Sequence, residues 1–373
     1  MILFLRGKFP GSWCRLWYKM ANGFCPEERY VEKTRSAPYT SCMPQVKTEK
    51  RPFQAVVAPD PLQPFQSESF SLAHLSDLHL TTLENVKVPQ LLSKRMLGYC
   101  SWRRKRRVIH RLDIVEALLD DLRANGPDHI AVTGDLTHLG LPDEFAEAGQ
   151  WLARLGPPER VTVIPGNHEA YVGRAWDKSC VMWAPYLASN RNFDIPKAAG
   201  YFPSLRVIGQ VALIGLCSAR PSLPFLAIGS LGKKQLAGLE ALLRITGKEG
   251  LLRVILIHHP PAPGTIKWRK RLIDSRAFAA IVARCGAELV LHGHAHAPTL
   301  SAMPTPLGKI PVIGAPSASE LCPWSGRYAK YHIYRMRQDG INRELTMIVR
   351  GYSEALGRFT LEKEATLSIP QLR

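Results

Sequence analysis

The chain has 373 residues, with 49 Lys and Arg against 31 Asp and Glu, a formal charge of +18. Its 46% hydrophobic and 21% charged residues are those of an ordinary globular protein, which excludes a wholly disordered, collagen-like or coiled-coil chain. No apolar run reaches the ~18 residues of a membrane span, and Arg6 and Lys8 interrupt the apolar opening, so neither an integral membrane protein nor an exported one is expected.

Residues 1–68 hold no sustained period of 2 or 3.6 and are rich in Pro, Ser, Gln and Lys, the composition of a poorly ordered N-terminal extension. Trp13, Arg15, Trp17, Tyr18 and Lys19 would suit a short amphipathic segment on a membrane surface, but a floppy chain end is the simpler expectation. The cysteines (Cys14, Cys25, Cys42, Cys100, Cys180, Cys217, Cys285, Cys322) are scattered without the close pairs of a zinc or redox motif. A reducing, cytoplasmic setting with thiols acting as small buried hydrophobes is expected.

From Phe70 onward short apolar runs alternate with helical segments, the signature of strand-helix units. His110 to Ala124 places Leu112, Val115, Leu119 and Leu122 on one helical face, and Phe145, Ala148, Leu152 and Leu155 repeat the pattern. Further helices are expected over Lys233 to Arg244 and Ser275 to Arg284, with buried strands over 130–133, 161–164, 254–257 and 288–291. Gly209-Gln210 and Asp339-Gly340 each join two strand-like runs directly and predict antiparallel hairpins. One domain over residues 69–353, built of two stacked sheets with helices outside and followed by a C-terminal tail at 354–373, accounts for these elements.

The chemistry lies where the strands end. They terminate in Ser76-Asp77-Leu78-His79, Gly134-Asp135, Gly166-Asn167-His168-Glu169, His258-His259-Pro260-Pro261 and His292-Gly293-His294-Ala295-His296. Ligands of open α/β sheets bind beyond the carboxyl ends of strands, so these five loops should converge. Two carboxylates, several imidazoles and one amide, with no thiolate, suit divalent Mn, Fe, Zn or Co. Seven such groups exceed one ion's needs but match two ions about 3.5–4 Å apart sharing one carboxylate.

Asp-x-His, Gly-Asp, Gly-Asn-His-Glu, a later His and Gly-His-x-His, in this order over about residues 70–350, resemble the calcineurin-like metallophosphoesterase superfamily. The resemblance implies an α/β, four-layer α-β-β-α sandwich of two mixed sheets flanked by helices. It implies that Asp77, His79 and His296 hold one metal, that Asn167, His258 and His294 hold the second, and that Asp135 bridges them. His168 is implied to act on the substrate as phosphate binder or general acid, with Glu169 orienting it, and His259 is left behind the ligands or in the substrate pocket. A hydroxide bridging two divalent metals would then attack a phosphate mono- or diester, possible substrates including a lipid-linked ester or a cyclic nucleotide. For His74, His110, His129, His138, His292 and His332 a capping or surface position is the expectation.

Between Asn85 and Leu112 lie nine Lys or Arg (Lys87, Lys94, Arg95, Arg103, Arg104, Lys105, Arg106, Arg107, Arg111) and no acid. This stretch is inserted after the Asp77-x-His79 loop and is interleaved with Met96, Leu97, Tyr99 and Trp102. It reads as a patch for peripheral contact with an anionic membrane through residues 87–111, as a nucleic-acid track with Tyr99 or Trp102 stacking on bases, or as a solvated face. The insertion at 81–111 and the loop from Tyr171 to Ser189 are expected to shape the substrate pocket. The alternatives to a hydrolase are a membrane-surface binding protein with a metal site and a nuclease, the latter disfavoured because no nucleic-acid module is recognisable.

Overall fold

The structure is a computed structural model and describes residues 69–173, 179–197, 200–306, 308–339 and 342–370. The expected N-terminal extension and its aromatic start lie outside the described residues, as does part of the 171–189 loop.

In chain order the strands are β1 (Ser69–Leu75), β2 (His129–Val132), β3 (Val161–Val163), β4 (Ser204–Ile208), β5 (Val211–Gly215), β6 (Leu252–Leu256), β7 (Leu289–His292), β8 (Thr299–Thr305), β9 (Gly308–Gly314), β10 (Leu321–Cys322), β11 (Arg327–Tyr328), β12 (Lys330–Asp339), β13 (Asn342–Ser353) and β14 (Arg358–Leu367). One six-stranded sheet has the order β14-β13-β12-β1-β2-β3, the other β4-β5-β6-β7-β9-β8. Both are mixed. β1, β2 and β3 run parallel while β1 is antiparallel to β12; β5, β6, β7 and β9 run parallel while β4 and β8 are antiparallel edges.

The alternation of side chains along the strands builds the layers. Val254 and Leu256 of β6 face a core shared with the first sheet, whereas Ile255 and Ile257 face Leu239, Leu242 and Phe278 of the outer helices Gly232–Lys248 and Ser275–Cys285. On the first sheet, helices Leu112–Asn125 and Pro142–Leu155 contribute Ile114, Leu118, Phe145 and Leu152 to the same shared core. Helix, sheet, sheet and helix give the expected four layers.

Three segments depart from expectation. Residues 358–367, expected in a tail, form β14 and pair with β13 at the sheet edge. A second hairpin, β8-β9, extends the other sheet. The basic insertion is helical over Arg95–Ser101, continues through a π-helical segment, Trp102–Arg106, and ends in a turn over Arg107–Ile109. Trp102 is buried among Leu83, Leu91, Leu139 and Leu141 and stacks on Tyr99, so it is not available to stack on bases.

Candidate metal centre

Each candidate ligand follows the carboxyl end of a parallel strand: Asp77 and His79 after β1, Asp135 after β2, Asn167 after β3, His258 after β6, and His294 and His296 after β7. The loops are bonded across both sheets. Asp77 and His79 donate their N–H groups to the carbonyls of Gly134 (3.0 Å) and Asp135 (2.9 Å), and Gly293 donates to His258 (3.1 Å). Six non-glycine residues among those described have positive φ, and five of them are Asp77 (52°), His79 (44°), Asp135 (57°), His294 (68°) and His296 (54°). Left-handed backbone costs about 1–3 kcal/mol per residue and is retained where function imposes it.

Two glycines admit the close approach these turns need. A Cβ on Gly166 would lie 2.2 Å from Asp135 Oδ1 and 2.5 Å from Asp135 N; one on Gly293 would lie 1.8 Å from Ser76 Oγ and 2.6 Å from Asp77 Oδ2.

The expected ligands converge in two sets, and His110 forms a third with His79 and His296. Asp77, His79, Asp135 and His296 offer ligand atoms all within 4.8 Å of one another, and Asp135, His258 and His294 do the same. Asp135 is common to both. Asn167 joins the second set, its Oδ1 lying 3.2 Å from His258 Nε2, which is 3.1 Å from His294 Nδ1 and 3.3 Å from Asp135 Oδ2. In the first set His296 Nε2 lies 3.3 Å from Asp77 Oδ1.

Backbone carbonyls fix the rings. His79 Nδ1 donates to Thr137 O at 2.8 Å and His258 Nδ1 to Thr133 O at 2.7 Å, which leaves each Nε2 facing the centre. His79 Nε2 and His294 Nε2 are buried without a hydrogen-bond partner. Buried imidazole nitrogens and carboxylate oxygens gathered at one place, two of the nitrogens with no partner, fit a cation in their midst, and a nitrogen and oxygen donor set suits divalent ions. Burial opposes charge on His258, but Asp135 and Asp77 outweigh it and raise its pKa to about 9. Burial likewise opposes charge on Asp77, yet His296, His258 and His79 hold its carboxyl well below the usual range. Burial, with His110 and Arg106 adding to it, lowers His79.

His168 stands beside the shared carboxylate. Its backbone N–H donates to Asp135 Oδ1 (2.8 Å), its Nδ1 to His138 O (2.5 Å), and its Nε2 lies 4.0 Å from Asp135 Oδ2. Glu169 does not orient the His168 ring as expected. Its carboxylate accepts from the N–H groups of Asp135 (2.9 Å), Leu136 (2.8 Å), Thr137 (2.9 Å) and Gly166 (2.6 Å) and from Thr137 Oγ1 (3.1 Å), tying the Asp135 loop to the Asn167 loop. Burial and the Asp135 charge push Glu169 up to about 7, against those donors. His259 is fully buried, and both its nitrogens are engaged, Nδ1 with Ser218 Oγ (2.8 Å) and Nε2 with Ala227 O (3.2 Å), which removes it from the substrate pocket.

Sequence reasoning missed several neighbours. Glu320 sits 3.5 Å from His296 Nδ1 and is held by Arg327 at 2.8 Å. His138 is buried and stacks on His79 with centroids 4.9 Å apart, and His110 lies 4.6 Å from the same ring, so both line the centre rather than capping or facing solvent. His74, His129, His292 and His332 are also buried, bonded to Thr133, Thr162, Thr299 and Tyr334. Arg106 of the insertion reaches His168 Nε2 at 3.1 Å.

A family model described as calcineurin-like phosphoesterase matches residues 70–298. The glycerophosphodiester phosphodiesterase GpdQ of Enterobacter lignolyticus is 28% identical over 197 residues, 52% of this chain and 57% of that relative, so the match spans just over half of the relative's length. A dimetal phosphatase from Danio rerio is 14% identical with a TM-score of 0.54, covering 82% of this chain and 99% of that one, and shares the fold.

Proposed function

We propose, for a chain that belongs to the calcineurin-like phosphoesterase family, that Asp77, His79, Asp135 and His296 hold one divalent ion and Asp135, Asn167, His258 and His294 a second, for hydrolysis of a phosphate ester. The family and the ligand-capable clusters make it a phosphoesterase with a dinuclear divalent metal site. The assignment of each residue rests on one observation, the membership of Asp135 in both clusters. Two bound divalent ions supply Lewis acidity that lowers the pKa of water toward neutrality and offsets charge on the phosphoryl oxygens.

The residues of the chain do the rest. The Asp135 carboxylate is aimed by the His168 N–H and, through its own backbone, by Glu169, so its two oxygens reach both sets. Thr137 O, Thr133 O and Glu320 hold the ligand rings in register. His168 meets the substrate. Its Nδ1 donates to His138 O and its Nε2 accepts from Arg106, so it meets a phosphoryl oxygen or the leaving alkoxide once Nε2 carries a proton. Asp135→Asn removes the shared carboxylate, and the hydrolase reading requires near-complete loss of turnover with it.

The substrate lies at an anionic membrane surface. Leu92, Met96 and Leu97 of the insertion are 75%, 41% and 39% exposed, beside exposed Arg103, Arg104, Lys105 and Arg107. Lys94 Nζ donates to Ser222 O (3.2 Å) and Leu226 O (3.3 Å), which brings exposed Leu223 and Phe225 to the same rim. Exposed apolar side chains in a cation-rich segment suit insertion among anionic head groups, each Lys or Arg adding about 1 kcal/mol. No helix among the described residues is long and apolar enough to cross a membrane. Co-sedimentation with anionic but not neutral vesicles, weakened by salt, tests this; equal binding to both refutes it.

A further inference from the structure

Two cations at the mouth of the centre take no part in holding it. Arg106 ends the π-helical segment Trp102–Arg106, a distortion that recurs at functional sites, and it turns inward where Arg103, Arg104, Lys105 and Arg107 are exposed. Its Nη1 lies 3.1 Å from His168 Nε2 and 3.4 Å from Nδ1. The segment is anchored: Trp102 is buried beneath it, and Arg95 upstream donates to Leu139 O (3.0 Å) and Gly140 O (2.7 Å).

Lys270 comes from a different loop, the one between β6 and β7. Residues 269–271 lie along 227–229, with Ala227 N donating to Arg269 O and Gly229 N to Arg271 O, both at 3.0 Å. The Ala227 carbonyl in turn accepts from His259 Nε2, beside the second set of ligands. The Arg106 charge is felt by His79 and His168, and that of Lys270 by His259 and His294, while Lys270 itself feels Asp77, Asp135 and Arg106, so both cations lie close to the centre and to each other. Neither is ion-paired with a carboxylate among the described residues. A half-buried cation without a counter-ion is costly unless an anion arrives to meet it.

The charges decide what that anion is. Two divalent ions set against Asp77, Asp135 and an attacking hydroxide would leave one positive charge, which a phosphodiester monoanion already meets, and Arg106 and Lys270 add two more. We propose that Arg106 and Lys270 form a clamp over the metal centre that selects phosphate esters bearing a second anionic group, phosphate or carboxylate, within a few atoms of the scissile phosphorus. The guanidinium takes two oxygens of such a group in its planar fork, and the ammonium acts as a point charge beside it. The clamp rests on the phosphoester hydrolase reading above.

The test is calorimetric binding of methylphosphonate, phosphonoacetate and methylenediphosphonate to Mn-loaded wild type, Arg106→Gln, Arg106→Lys and Lys270→Gln, with metal content measured for each. Wild type should bind the doubly substituted anions at least ~30-fold more tightly than methylphosphonate. Arg106→Gln and Lys270→Gln should each lose about tenfold of that preference while keeping two metals, and Arg106→Lys should regain part of it, because a charged contact is removed or shortened. Chelation by the second group acts alike in all four proteins, so the difference between them reports the cations. Loss confined to methylenediphosphonate makes the second group a phosphate; loss with phosphonoacetate as well makes it either anion. Variants that weaken all three ligands equally, or that keep the wild-type preference, overturn the clamp. Wild type that holds two metals and cleaves no ester overturns instead the hydrolase reading on which it rests.

Discussion

Replacing Glu169 by Gln isolates what holds the shared carboxylate in place. Glu169 Oε2 accepts from Asp135 N and Gly166 N, and Oε1 from Leu136 N, Thr137 N and Thr137 Oγ1. A glutamine amide keeps one oxygen, so whichever way it turns its NH2 faces at least two N–H donors. Each buried donor stripped of a charged acceptor costs about 1–3 kcal/mol, and the surviving bonds lose their charge assistance. Two lost bonds give about 4 kcal/mol, short of most domains' total stability, so the variant folds. The Asp135 charge that pushes Glu169 up is offset when cations bind, so the measurement belongs on the Mn-loaded protein. Denaturant unfolding should show a loss of about 4 kcal/mol, and metal titration an affinity reduced 10–100-fold, the usual effect of removing a group behind a ligand. A variant that keeps both its stability and its two metals while losing only turnover would refute the assignment and restore Glu169 to His168.

Other consequences are separable. His168→Ala should retain two metals and lose about 10²–10⁴ in turnover; metal loss would move His168 among the ligands. Gly293→Ala places a methyl 1.8 Å from Ser76 Oγ and 2.6 Å from Asp77 Oδ2, so overpacking of about 1–3 kcal/mol and weakened binding of one metal are expected from unfolding and metal titrations. Burial, with Arg206 and Arg160 adding to it, lowers His129 to about 3, and burial with Lys330 lowers His332 to about 4. An unfolded histidine titrates near ~6.5, so the unfolded chain binds more protons below that pH; stability is full above it and falls toward pH 4. His129→Gln should flatten that loss by about 1.4 kcal/mol per pH unit in acid denaturation, and an unchanged slope would contradict it.

The candidate site was legible because the proposed ligands are tied to strand ends, which apolar runs mark without any tertiary information: β2 into Gly134-Asp135 and β7 into Gly293-His294 are local patterns. The edges were less so. β8 carries Pro304 and lies at its sheet's edge, where a ladder N–H is dispensable, and β14 carries Glu362, Lys363 and Glu364 on another edge, so neither reads as a buried strand. The insertion hid its helix for a related reason: its π-helical segment breaks the 3.6-residue period just where Trp102 is buried. Glu320, His110 and His138 gave no sequence signal at all. They reach the centre through chance neighbours in the fold, and a lone His or Glu carries no spacing to betray it.

The most direct test of the central claim is hydrolysis of bis-p-nitrophenyl phosphate and of the corresponding monoester by Mn-loaded wild type and Asp135→Asn, with metals per chain counted in the same samples. Two ions per wild-type chain, ester cleavage, and loss of nearly all turnover in Asp135→Asn are the expected result. Undiminished cleavage by Asp135→Asn, or a wild type that holds two ions and cleaves neither ester, would contradict it.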